Sequence, residues 1–423
     1  MFFFYNLITI FLYPFLIFLF FVRKFLKKES GDSLIDKLTF SRVSGNKKRK
    51  KLIWFHAASI GEVQSIIPLM SKFYSSYNDL NFLITTSTIS SGKIVKKKIK
   101  DLDRANHKYL PLDISFLVNS FLNNWSPSLA VFVDSEIWPN FLSNIKKRNI
   151  PLILVNGRIT PKTYKKWKMI NFFSKRIFKL FDLCLPCSEE SLNYLVGLKT
   201  NNVKYFGNLK YSVEIKSEKL NEHNLGILKK KKVWCAASTH QNEEEFCLET
   251  HKKVKKLHKD ILTIIIPRHI NRSESIRALT EKLGLSVQKV NKNENFEEDT
   301  DVIIVNAFGE LEKYFNYCDN VFIGKSISKK FKNNGGQNPI EAAKCGCKIF
   351  HGPYFGNFKE VYNHLNSLGI SEEISSNIDL SEKLIKNFSF KQNLKEKNTK
   401  LITQLGDEIL EKNFKELSRF LNI

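Results

Sequence analysis

The sequence predicts an α/β protein of two successive parallel-sheet lobes behind an apolar N-terminal helix. Three observations carry that reading. From Leu52 onward, short apolar runs alternate with helical patterns, as in parallel sheets covered by helices. One polar stretch, KSEKLNEHNLGILKKKK (216–232), interrupts the alternation, which then restarts. The first 22 residues, MFFFYNLITIFLYPFLIFLFFV, carry no charge.

Composition bounds the class. A chain of 423 residues holds two or three ordinary domains, and 18 Gly with 11 Pro exclude collagen-like and disordered chains. Seven cysteines, odd in number and scattered, fit a reduced setting better than a disulfide framework. The 67 Lys+Arg against 42 Asp+Glu leave a formal charge of +25, part of which a Lys-, Asn- and Ile-rich composition explains without any function.

The N-terminal 22 residues would form a helix of roughly 30 Å, the thickness of one hydrocarbon core. Arg23, Lys24, Lys27 and Lys28 follow at once and favour a cytoplasmic location for the rest of the chain. A cleaved signal peptide would have its basic residues first and small residues at a cleavage site; here neither is present. Pro14 leaves a kinked or half-inserted helix open. Residues 23–51 then hold eleven Lys/Arg and three Asp/Glu, ending in KKRKK at 47–51. Beside an anchor, such a segment suits anionic membrane lipids, at on the order of 1 kcal/mol per basic residue near the surface.

Residues 52–215 read as the first lobe. LIWFHA (52–57), NFLITTS (81–87), LAVFVDS (129–135), PLILVNG (151–157), DLCLPCS (182–188) and NVKYFGN (202–208) are its expected strands, with helices over about 62–77 and from about Ser91. Residues 216–232 read as a linker. Residues 233–423 read as the second lobe, with strands VWCAAS (233–238), ILTIIIP (261–267), DVIIVN (301–306) and NVFIGKS (320–326).

Ligands of open parallel sheets bind beyond the carboxyl ends of strands, and the distinctive residues fall there. In HAASIGE (56–62), Ser59 is a plausible N-cap and Glu62, three residues on, completes a capping box; the same carboxylate could also accept a proton from a substrate hydroxyl. Asp134 and Glu136 follow another strand, Asn156-Gly-Arg158 a third, and Lys210 closes GNLK. In the second half, Glu243, Glu244 and Glu245 look like a capped helix start, and Pro267-Arg268 ends a very apolar strand where an arginine can grip phosphate or carboxylate. Phe308-Gly309-Glu310 and the turn GGQNPIE (335–341), holding Asn338, Pro339, Ile340 and Glu341, complete the set; backbone N–H groups there could form an anion site. Cys184-Leu-Pro-Cys187 has redox or zinc spacing but no matching second pair, so these thiols read as small core residues. Asp101-Leu-Asp103 reads as solvated.

HAASIGE, DSEIWPN, NGRIT, GNLK, AASTH, PRH, FGE and GGQNPIEAA, in that order, resemble the 3-deoxy-D-manno-octulosonic acid (Kdo) transferases, inner-membrane GT-B glycosyltransferases of lipopolysaccharide assembly. The resemblance runs from the anchor to about residue 360. It implies two Rossmann-like lobes facing a cleft. It also implies an inverting transfer of Kdo from CMP-Kdo to a lipid A precursor, with no cofactor and no metal. Carried over by position, Glu62 matches the general base, and Asp134, Glu136 and Lys210 match residues stabilising the transition state. Pro267, Arg268, Phe308, Gly309, Glu310, Asn338, Pro339, Ile340 and Glu341 match the CMP site. Ala237, Lys325, Gln337 and Asp134 depart from the family's usual residues, which leaves the reaction class intact but blurs which acid of the pair matters. Two rivals remain. A membrane-associated GT-B enzyme using a UDP-sugar should lack the HAASIGE and GGQNP pair. A tethered nucleic-acid binder should interleave aromatics with its basic runs, and KKRKK has none.

Overall fold

The computed structural model describes residues 2–39, 51–215, 219–389 and 394–421. The run 47–51 therefore lies outside the described residues apart from Lys51, as do 216–218 of the expected linker. The chain divides into two compact units, Met1–Val213 with Gly406–Ile423, and Glu214–Leu405.

The first unit is a six-stranded, wholly parallel sheet. Its strands are β1 (Leu52–His56), β2 (Asn81–Thr86), β3 (Ala105–Tyr109), β4 (Leu129–Val133), β5 (Leu152–Gly157) and β6 (Leu183–Pro186), in the order β3-β2-β1-β4-β5-β6. β1, β4 and β5 are buried along their whole length, so a continuous apolar run, not an alternating one, encodes them. Trp54 sits in the core with its ring 4.9 Å from Phe121 and 5.2 Å from Phe132. The sequence reading missed β3, a half-buried edge strand reading ANHKY, because an edge needs no apolar run. Residues 202–208, expected as a strand, form only an isolated bridge from Val203 to Cys184.

The second unit is a seven-stranded parallel sheet. β7 (Lys232–Thr239), β8 (Ile261–Pro267), β9 (Val287–Val290), β10 (Val302–Val305), β11 (Asn320–Ile323), β12 (Lys348–His351) and β13 (Ser371–Glu373) lie in the order β13-β12-β11-β7-β8-β10-β9. β9, β12 and β13 are short and were not expected.

Two expected boundaries need correction. The linker 216–232 is largely folded: Glu222–Lys230 is a helix capped by Asn221, and Asn224 exchanges hydrogen bonds with Glu294 and Phe296. The second lobe does not run to 423, because the helix Leu394–Ser418 returns its distal part to the first unit. There Phe414 packs on Phe73 (4.6 Å), Lys204 pairs with Glu416 (2.8 Å), and Lys72 pairs with Glu411. Gly406 permits that return, since a Cβ there would stand 2.3 Å from the Tyr211 carbonyl oxygen. Within the basic juxtamembrane segment 23–51, residues 29–38 are folded: Ser30 caps the helix Gly31–Leu38, and the buried Lys37 ammonium holds both Glu29 oxygens, at 3.0 and 2.9 Å.

Candidate active site

In the first unit, β1 and β4 are neighbours whose chains leave in opposite directions, so a crevice opens between their carboxyl ends. Glu62 enters from the β1 side. Ser59 caps the helix Ile60–Ser76; its hydroxyl donates to Glu62 Oε1 (2.7 Å) and the Ala58 N–H donates to Oε2 (2.7 Å). The expected capping box is only half formed, because Glu62 takes the N–H of Ala58 and not that of Ser59; each oxygen accepts only one of these bonds, and a carboxylate has about four acceptor sites. The cap thus aims the carboxylate without consuming it.

Glu136 and Asp134 enter from the β4 side, and their surroundings separate them. Glu136 Oε2 accepts from His56 Nε2 (3.0 Å) and from the Trp138 indole (2.8 Å). Burial pushes its carboxyl up, but these donors outweigh burial and hold it below the ordinary range. On its other side His56 Nδ1 meets the Thr85 hydroxyl (3.0 Å), which accepts the Trp54 indole N–H (2.9 Å). The ionised Glu136 carboxylate can only accept, so His56 Nε2 donates to it, while Nδ1 meets both the hydroxyl and, at 3.2 Å, the carbonyl oxygen of Thr85. Sequence reasoning gave His56 no role; its partner lies eighty residues away and no local window shows it.

Asp134 takes the left-handed backbone region at φ +59° and is fixed by hydrogen bonds from its N–H to Val155 O (3.1 Å) and from Arg158 N–H to its carbonyl (3.1 Å). That turn brings its carboxyl toward Glu62, Lys210 and Arg158. Burial, then the Glu62 charge, push it up to about 6 against the pull of Lys210 and Arg158. Lys210 is set by asparagines: Asn156 Oδ1 accepts the Leu209 N–H (3.0 Å), and Asn208 Oδ1 accepts the Lys210 N–H (3.0 Å). The charges of Glu62, Lys210, Arg158 and Glu136 all reach the Asp134 carboxyl, and of these Glu136 is committed to His56 and Trp138. Cys187 is partly exposed beside Asp134 and Cys184 lies in the core; burial pushes the Cys187 thiol up to about 11 and that of Cys184 higher still, so both are protonated.

The raised Asp134 carboxyl has a stability consequence. The folded state binds its proton more tightly than the unfolded chain, so ionising it costs stability that is fully felt above pH 6 and absent below about pH 4. Asp134→Asn, which keeps the shape and tolerates the left-handed turn, should raise stability at pH 8 by on the order of 2–3 kcal/mol, with the gain shrinking toward pH 4. Denaturant titrations at pH 8 and pH 5 check this; a pH-independent difference would mean that the carboxyl is solvated.

In the second unit, the candidate residues also stand at the carboxyl edge of the sheet. Arg268 is exposed after β8, its N–H bound to Thr239 O (3.1 Å) beside buried Pro267. After β10, Phe308 is 72% exposed and Gly309 has φ +77°. Glu310 is buried, with Lys313 at 3.4 Å and Lys292 at 3.6 Å, so its carboxylate is already paired. After β11, Gly335 lies where a Cβ would stand 2.1 Å from the Tyr354 carbonyl oxygen. The helix starting at Ile340 is one short turn, Ile340–Lys344, and the Ile340 N–H is taken by Asn338 Oδ1 (3.2 Å). The anion site expected there is thus capped by the chain's own asparagine. Glu341 is half-buried in that turn.

Glu243, which the spacing suggests is a helix-start acid, has a larger part. It is wholly buried, and its two oxygens accept four backbone N–H bonds: His240 (2.9 Å) and Lys325 (2.6 Å) on one, Ser326 (2.8 Å) and Ile327 (3.2 Å) on the other. It ties the loop after β7 to the loop after β11. Burial pushes its carboxyl up, the four N–H bonds pull it down, and burial prevails.

Two Rossmann-like parallel sheets with polar residues gathered at their carboxyl edges define an α/β protein of the two-lobed GT-B fold class. The Anabaena protein HepE, solved with UDP, shares this fold at a TM-score of 0.57 and 11% identity, over 87% of this chain and 100% of that one. A Rickettsia africae glycosyltransferase does so at 0.56 and 12%, over 88% and 99%. Residues 34–213 match the family model for 3-deoxy-D-manno-octulosonic-acid transferase (kdotransferase). The Kdo transferase of Rickettsia bellii is 33% identical over 355 residues, 82% of either chain, and that of Haemophilus influenzae 28% over 378 residues, 88% of this chain and 86% of that one. The chain belongs to the Kdo transferase family. It is a glycosyltransferase of lipopolysaccharide biosynthesis.

Proposed function

We propose that this enzyme moves Kdo from CMP-Kdo to a lipid A precursor on a membrane surface. The convergence of Glu62, Asp134, Lys210 and Arg158 beyond β1 and β4 carries the mechanism. An acceptor hydroxyl attacks the anomeric carbon from the face opposite the CMP oxygen. The bond from that carbon to the phosphate oxygen breaks, CMP leaves with the electron pair, and Glu62 takes the hydroxyl proton. Lys210 and Arg158 supply positive charge for the sugar carboxylate and the developing charge on CMP, the part a metal plays elsewhere. Asp134 holds these cations in place, and Glu136, anchored by His56, orients the loop. Arg268, with Pro267, Phe308–Glu310 and Asn338–Glu341, forms the cytidylate site. Incubating the full chain with CMP-Kdo and a lipid A precursor, then weighing the products, tests the reading; transfer from a UDP-sugar instead would overturn it.

The helix Phe2–Phe25 is long and apolar enough to cross a membrane and supports membrane association on the cytoplasmic face of the inner membrane. Arg268→Ala should weaken CMP roughly 10- to 150-fold, the loss of one charge-assisted hydrogen bond. Unchanged CMP affinity by calorimetry would place the donor elsewhere.

A further inference from the structure

The N-terminal helix is in contact with the first unit along one face of its whole length. Phe2 packs on Phe173 (5.5 Å), the Tyr5 hydroxyl donates to Asp113 (2.9 Å), Thr9 accepts from Asn140 (3.4 Å), and Tyr13 stands edge-on to Phe116 (5.1 Å) and donates to the Leu38 carbonyl. Farther on, Lys37 lies over the Phe20 ring (5.3 Å), and Arg23 donates to Glu29 (3.1 Å). Positions 2, 5, 9, 13, 20 and 23 recur at helical spacing, so they form one stripe. From Phe2 to Phe20 that stripe runs about 27 Å. The opposite face is bare and apolar, with Phe11 86% and Phe18 66% exposed.

A helix that crosses a bilayer meets hydrocarbon along about 30 Å. Crossing in this arrangement would carry Asp113, Lys37 and Glu29 into the hydrocarbon, where a single charge costs at least about 2.5–3.5 kcal/mol. The helices Pro161–Met169 and Asn171–Phe178 adjoin its N-terminal end through Phe173. They expose Met169 (85%) and Phe172 (60%), and residues 161–181 hold seven Lys/Arg and no Asp or Glu. Apolar tips among cations complement the boundary between anionic headgroups and acyl chains.

We propose that the N-terminal helix lies in the plane of the membrane interface instead of spanning the bilayer, and that together with the Pro161–Phe178 hairpin it forms one docking surface for anionic lipid. The inference rests on the membrane reading above and sharpens its geometry. One face of the helix is solvated by protein, where Tyr5, Thr9 and Tyr13 make hydrogen bonds, and the other by acyl chains, where its exposed residues from Phe3 to Val22 are apolar. Membrane binding then places the whole β1–β4 crevice at a fixed height above the lipid.

The test uses the full chain bound to preformed vesicles of mixed neutral and anionic phospholipid. Phe3→Cys, Phe11→Cys and Phe18→Cys, each at an exposed position, carry a fluorophore quenched by lipids bearing nitroxides at graded depths; the unsubstituted chain reports labelling of native thiols. All three labels should sit at one shallow depth, about 5–10 Å below the headgroups. A spread of about 22 Å between Phe3 and Phe18, with Phe11 at the bilayer centre, would be a spanning helix and would overturn the inference while leaving membrane association standing. Reversing Lys165, Lys168 and Arg176 to Glu together should lower affinity for anionic vesicles roughly a hundredfold and leave neutral ones unchanged. Unaltered anionic binding would remove the hairpin from the surface. Absence of binding to either vesicle would sink the membrane reading itself, and this inference with it.

Discussion

Glu62→Gln should lower kcat for Kdo transfer by roughly 10²- to 10⁴-fold while the fold and CMP affinity stay near normal. The substitution isolates the proton-accepting role because the cap survives it. The Gln oxygen can still accept the Ala58 N–H, and its amide can donate to the Ser59 hydroxyl, which rotates to accept. Glu62→Ala removes the base together with the acceptor of the Ala58 N–H and Ser59 hydroxyl, leaves the Ser59 cap on the residue-62 N–H, and should also cost about 1 kcal/mol of stability. Single-turnover kinetics with a thermal melt of each variant separates the two roles. Near-normal turnover of the Gln variant would reduce Glu62 to a support of the Ser59-capped helix start.

Glu243→Ala should be the most destabilising single change at either site, at no less than about 3 kcal/mol. Four buried N–H groups lose a shared acceptor, and each such bond to a charged group contributes about 1.5–3 kcal/mol. Water entering the vacated space restores part of the loss. For a unit of this size the melting temperature should fall by roughly 6–12 °C. Glu243→Gln should recover only part, because its amide nitrogen turns donors toward the N–H groups. CMP affinity should fall with both variants, since the loop after β11 loses its tie to the loop after β7. An unchanged melt for Glu243→Ala would mean that water satisfies those amides as well as the carboxylate does.

The two predictions differ in how far the sequence foretells them. Glu62 stands in a strand–turn–helix whose parts are contiguous, so Ser59, Gly61 and Glu62 announce both cap and cleft-facing acid within seven residues. Glu243 announces only a helix start. Its partners, Lys325 to Ile327, come from a loop more than eighty residues later, and nothing local connects them. The Asp134 and Glu136 pair shows the same limit. Spacing presents them as equals, and what separates them is a left-handed turn at Asp134 and a histidine on the neighbouring strand.

Central strands were legible because burial on both faces demands unbroken apolar runs, and the candidate residues were legible because they follow those runs directly. Edge strands β3 and β9, which read ANHKY and VQKV, were not, since a half-exposed edge tolerates polar residues. From the order of residues alone came two parallel-sheet lobes, the apolar helix and the strand ends that carry chemistry, all matters of short-range pattern. Tertiary packing alone decided which acid of the Asp134 and Glu136 pair is held by His56, which unit receives residues 406–423, and which face of the N-terminal helix rests on protein. Each of those depends on contacts between segments tens to hundreds of residues apart, and the energy of such a contact resides in the assembled pair, not in either segment.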